Sequence, residues 1–189
     1  MSEFDLSVGD SYDIRRTQLC ISHLRNLGLS SKASDWGLET RQPIKKFFLL
    51  NLGTVVMFTD YVAKLVGRPT RLLMRDDAFE NLPYWQDTLW APVAFTPGKA
   101  FENDQAGPFY FGSSPRLLET LNYIKSISRI PLGPVPQQYD LMVTDFRAFY
   151  KNFRDLDSEQ SCIQWVWRGL YDAATLAVQS KSPMLGNGL

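Results

Sequence analysis

The chain has 189 residues, with twenty basic side chains balanced by twenty acidic ones, so no global field draws it to nucleic acid or an anionic membrane. A hydrophobic content of 44%, with 12 Phe, 8 Tyr and 5 Trp, supplies one packed core and argues against intrinsic disorder. Cys20, Cys162 and His23 are the whole complement of cysteine and histidine, too few and too scattered for a disulfide framework or a zinc site. The length fits a single domain over 1–189. The start, "MSEFDLSVGD", lacks the basic-then-apolar pattern of a secretion signal. The most apolar stretch, Phe47 to Thr59, is too short to span a bilayer. Both features make a soluble cytoplasmic protein the expectation.

In chain order, "DSYDIRRTQLCISHLRNLG" reads as a first helix, with Ile14, Gln18, Ile21 and Leu24 at helical spacing and Gly28 as its stop. Residues 29–42 are polar and turn-rich and read as a loop. Pro43 then opens a long helix whose apolar face runs through Ile44, Phe47, Phe48, Val55, Phe58, Val62 and Leu65 to a stop at Gly67 and Pro69. The competing reading divides it into a strand, "KFFLLNL", and a shorter helix, because Gly53 weakens the middle.

Residues 68–112 differ in kind. Pro69, Pro83, Pro92, Pro97 and Pro108 exclude long helices, while short strands at "TRLLM", "LWAPVAF" and "PFYF" fit between them. Aromatic loops of this density must pack on the core or on a partner. Helical spacing returns with Leu117, Leu121 and Ile124, again with Met142, Phe146, Phe149 and Phe153, and finally from Ile163 through Ala177. The end, residues 183–189, reads as a frayed tail. The sum is a mainly α fold (α+β being the alternative) of about five helices, with a small irregular β element in the middle.

Three segments offer chemistry. In "FYFGSSPRLLETLNYI" a Gly-Ser-Ser turn opens a helix, where unpaired N–H groups and the helix dipole can hold an anion, with Ser113, Ser114 and Arg116 as the binding groups. The plainer reading is a cap, because serine before proline satisfies a helix start and no Walker lysine follows. His23 lacks a positioned nucleophile and third group, so a structural or surface histidine is favoured over a catalytic base. The densest polar stretch, "RDDAFENLPYWQD", lacks the spacing of a calcium loop but carries interface residue types. Asp76, Asp77, Glu80, Trp85, Asp87 and the nearby Trp90 are therefore the candidate partner-binding residues, with the carboxylates steering a basic partner. Trp165 and Trp167, two apart, cannot share a helix face, so one must pack away from the main stripe. Neither a cofactor nor a metal is expected.

Together "LPYWQDTLWAPVAF", "FYFGSSPRLLETLNYI" and "CIQWVWRGLYDAATLAVQSKSPM" resemble small bacterial immunity proteins that accompany polymorphic or contact-delivered toxins. The resemblance covers roughly the second half of the chain and brings no catalytic residues. It implies a cytoplasmic protein-binding module that binds and neutralises a cognate toxin, and leaves open whether the chain is an enzyme. The alternative is a small enzyme with an anion pocket at the Gly-Ser-Ser-Pro helix start.

Overall fold

A computed structural model describes residues 3–8, 14–29, 45–73, 75–83, 88–96, 99–101, 109–133 and 159–188. The elements are β1 (Glu3–Val8), α1 (Ile14–Asn26), β2 (Lys45–Asn51), α2 (Leu52–Leu65), α3 (Thr70–Leu73), β3 (Thr88–Ala91), β4 (Lys99–Phe101), β5 (Phe109–Ser113), α4 (Ser114–Ile127), α5 (Glu159–Ser180) and β6 (Met184–Gly188). The fold is mainly α, as the periodicities imply, with five helices among the described residues.

Its strands are not confined to the middle. They form a six-stranded sheet in the order β2-β1-β6-β3-β5-β4. The expected frayed tail is therefore the strand β6, which lies inside the sheet and pairs antiparallel with β1 on one side and β3 on the other. Alternation explains it: Met184 is buried in the core on one face and Leu185 in the core on the other. Local composition, with two glycines, concealed this two-sided burial.

The sheet separates two apolar cores. The larger gathers Leu6, Val8, Phe47, Leu49, Trp90 and Met184 against α2, α4 and α5. The smaller packs Leu89, Ala91, Phe111 and Leu185 against Cys20, Ile21 and Leu24 of α1. His23 joins this second core, its ring stacked on Phe111 at 6.0 Å and edge-on to Phe95 at 5.8 Å.

The long helix expected from Pro43 to Val66 is not formed as one piece. Its first part is the strand β2, which pairs antiparallel with β1 in the register Leu6↔Phe47 and buries Phe47 and Leu49. A chain that is apolar on successive residues satisfies either period, and pairing with β1 decides for the strand. The Thr54 hydroxyl donates to the Leu49 carbonyl at 2.6 Å, fastening the first turn of α2 to the end of β2. Helix α5 approaches β2 closely at Gly169, where a Cβ would stand 2.4 Å from Leu49 Cδ2. "TRLLM", expected as a strand, instead starts with the one-turn helix α3, whose Thr70 hydroxyl donates to Asp60 at 2.6 Å.

Three helices close with the same device. The N–H groups of Leu29 and Gly28 return to the carbonyls of Leu24 and Arg25, at 2.8 and 2.9 Å, with Gly28 at φ 74°. Gly67, at φ 65°, repeats it after α2. After α5 the same position is Lys181, at φ 51°, a conformation that costs a residue with a Cβ about 1 kcal/mol or more. The expected loop at 29–42, past Leu29, and the expected helix around Met142 to Phe153 lie outside the described residues.

Candidate functional site

The Gly-Ser-Ser-Pro turn joins β5 to α4, and each residue in it has an internal role. Ser113 is the N-cap: its hydroxyl accepts from the Arg116 N–H at 3.3 Å. The capping residue is thus Ser113 and not Ser114, one position earlier than serine-before-proline suggests, because the helix begins at Ser114 with Pro115 in its first turn. The Ser113 N–H donates to Asn81 Oδ1 at 2.7 Å. Arg116 is exposed and pairs with Glu119 at 2.8 Å. Ser113 and Ser114 are fully buried, and Ser114 Oγ has no hydrogen-bond partner among the described residues. At this helix start the Ser113 and Arg116 N–H groups are taken, Pro115 has none, and the Arg116 guanidinium is paired with Glu119.

Gly112 explains its own presence. Opposite it on β3 stands Trp90, the two residues being register partners in the parallel β3–β5 pair. A Cβ at Gly112 would lie 2.4 Å from Trp90 Cδ1, and one at Gly186 on β6 would lie 2.8 Å from Trp90 Cζ3. The indole rests across both neighbouring strands, and both must be glycine beneath it. Its Nε1 donates to the Asn81 carbonyl at 2.8 Å. Asn81, itself buried, thereby ties Trp90 and the cap of α4 to the turn before Pro83.

Trp90 is consequently a core residue and not a partner-binding one, since its ring is sealed within the larger core. Asp76 is also committed inside the molecule. One carboxylate oxygen pairs with Arg68, and the other accepts the Ala78 N–H at 3.0 Å in an Asx turn. Glu80 is half-buried, whereas Asp77 is exposed. Trp85 and Asp87 lie outside the described residues. Both tryptophans of α5 are buried. Trp167 joins the larger core and donates to the Leu121 carbonyl at 3.0 Å, while Trp165 belongs to neither core cluster.

The structure adds a surface that the sequence reading missed. Between the end of α2, the turn after α3 and the outer face of α4 runs a groove of about 460 Å³, lined by Leu65, Val66, Arg68, Phe79, Tyr123 and Ile127, with Asp76 and Ala78 at its side. Tyr123 is half exposed, and its ring stands 6.0 Å from that of buried Phe79. A second cleft, of about 330 Å³, shares Arg68 with the groove and is lined also by Asp60, Lys64, Gly67, Pro69 and Thr70. Leu72, in the turn of α3 above, is 43% exposed. The sequence signal was faint: Tyr123 lies just off the Leu117–Leu121–Ile124 stripe, and neighbouring elements had to be placed before it could be read.

Among the described residues no three His, Cys, Asp or Glu side chains come together to hold a metal, and no helix is long and apolar enough to cross a membrane. Comparison with protein-family models, with curated proteins and with solved structures finds no match.

Proposed function

We propose that this chain is a protein-binding module, acting as an immunity protein that binds and neutralises a cognate toxin, and that it docks through the groove between α2 and α4. The observation that carries the docking surface is Tyr123, a large aromatic side chain held half in solvent over an apolar floor. Tyrosine in such a setting supplies contact area at little entropic cost and is a frequent hot spot. Leu72 and Asp77, both exposed, belong to α3 and to the turn after it, the stretch that supplies Asp76, Ala78 and Phe79 to the groove. The toxin as partner rests on the resemblance of the Trp/Pro segment, the Gly-Ser-Ser helix start and the final Trp helix to immunity proteins.

The test is co-expression with the product of the neighbouring reading frame. This chain should relieve its toxicity and elute with it as a stoichiometric complex, and Tyr123→Ala should weaken that complex about tenfold or more. Absence of both relief and complex removes the reading. Relief that Tyr123→Ala and Leu72→Asp leave intact removes the groove as the docking surface.

A further inference from the structure

We infer that the groove takes an amphipathic helix of the partner, which lays an uncharged apolar face into it. This rests on the groove being the docking surface, and names what fills it. The ionic groups that line the groove and the second cleft cancel, Lys64 and Arg68 against Asp60 and Asp76. Three of the four are engaged within the chain. Arg68 pairs with Asp76, whose other oxygen takes the Ala78 N–H, and Asp60 accepts from the Thr70 hydroxyl. A lining without net charge has no field to steer a charged segment, whereas Leu65, Val66, Phe79, Tyr123 and Ile127 offer apolar area. Nucleic acid and anionic lipid both need an excess of cations, so neither suits it.

The backbone of the walls decides the form of the occupant. None of the lining residues belongs to a strand. The N–H groups of Val66, Arg68, Asp76 and Phe79 donate to the carbonyls of Val62, Ala63, Leu73 and Asp76. Ala78 has both of its main-chain groups taken, the N–H by Asp76 and the carbonyl by the Thr120 hydroxyl at 2.6 Å. Leu65, Tyr123 and Ile127 lie in α2 and α4, where N–H groups bond within the helix. An extended segment would find no sheet edge to join and would bury its own N–H and C=O groups unpaired. A helix arrives with those groups already bonded. Its apolar side chains, three and four positions apart, match the spacing of Tyr123 and Ile127, one turn apart on α4.

The experiment is selection on the purified chain from two displayed libraries, one of disulfide-bridged two-helix hairpins randomised along one face and one of linear peptides. The hairpins should supply the binders, with Leu, Ile, Phe or Trp at helical spacing on that face. Their Kd should change less than about twofold as ionic strength rises from about 0.01 to 0.15 M, over which the Debye length falls from about 30 to 8 Å. Tyr123→Ala and, separately, Ile127→Asp should weaken them about tenfold or more, mainly through faster dissociation. Linear peptides that bind more tightly than the hairpins, and that Tyr123→Ala still weakens, overturn the helix and leave the groove standing. Selected faces rich in one sign of charge, or a change in Kd of about tenfold over that range of salt, overturn the uncharged contact. A dimer of the chain that Tyr123→Ala dissolves, or tighter binding to a single-stranded oligonucleotide than to the hairpins, overturns a partner's helix as the occupant. Binders indifferent to both substitutions, or no enrichment from either library, overturn both the groove and its occupant.

Discussion

Replacing Gly112 by alanine should destabilise the protein, against the ordinary sign for that change. A glycine inside a strand normally costs stability, so adding a methyl would by itself give about 0.5–1 kcal/mol back. Here the new Cβ would stand 2.4 Å from Trp90 Cδ1 and 2.7 Å from Nε1. The ring cannot slide away along the sheet, because its far edge already lies where a Cβ of Gly186 would be, 2.8 Å from Cζ3. Nor can it tilt without lengthening its 2.8 Å bond to the Asn81 carbonyl. Overpacking of this kind costs about 1–3 kcal/mol, and a buried carbonyl left without its donor costs about 1–3 kcal/mol more. Set against the strand gain, the net loss is about 3 kcal/mol, a large part of the roughly 5–15 kcal/mol that holds a domain folded. For a chain of this size the melting temperature should fall by roughly 6–12 °C. Calorimetry or urea titration of Gly112→Ala beside wild type measures it. The double variant with Trp90→Leu should show strong non-additivity, since the clash disappears with the ring. A melting temperature within about 2 °C of wild type would refute the cradle.

Truncation after Ser182 should abolish cooperative unfolding, because it removes the strand between β1 and β3 and, with Met184 and Leu185, a share of both cores; a truncated chain that melts cooperatively would refute the central place of β6. Lys181→Gly should raise stability by about 0.5–1 kcal/mol in urea titration, since Lys181 holds the left-handed position that glycine fills after α1 and α2; a drop would show that its side chain is needed. Burial pushes the Cys20 thiol well above its ordinary value of 9.0, so a thiol reagent should modify half-buried Cys162 in the native protein and Cys20 only on unfolding. Burial first, and then the Glu159 carboxylate, also raises Cys162. The unfolded chain releases these protons first, so their contribution is complete below pH 9.0 and is lost as pH rises above it, at up to about 1.4 kcal/mol per pH unit for each thiol. Cys20→Ala should flatten that decline, and an unchanged slope would show that burial of Cys20 does not cause it.

What the sequence determined by itself is local. Helix faces at Ile21–Leu24, Leu117–Leu121–Ile124 and Ile163–Ala177 were legible because a period of 3.6 is written over many residues. The stops at Gly28 and Gly67 and a cap at the Gly-Ser-Ser-Pro turn were legible because capping uses residues within a few positions of one another. The tertiary structure alone decided everything that depends on a distant partner. Residues 45–51 suit helix and strand equally, and β1, some forty positions earlier, selects the strand. The tail becomes β6 because two separate strands accept it, one on each side. Trp90, which in sequence looks like an interface residue, is core because two glycines, one on β5 and one on β6, leave room for its ring. The acidic run loses Asp76 to an arginine eight positions earlier, and the groove beside it exists only where α2 and α4 meet. Burial and electrostatic pairing are properties of neighbours in space, and a chain read in order shows only neighbours in line.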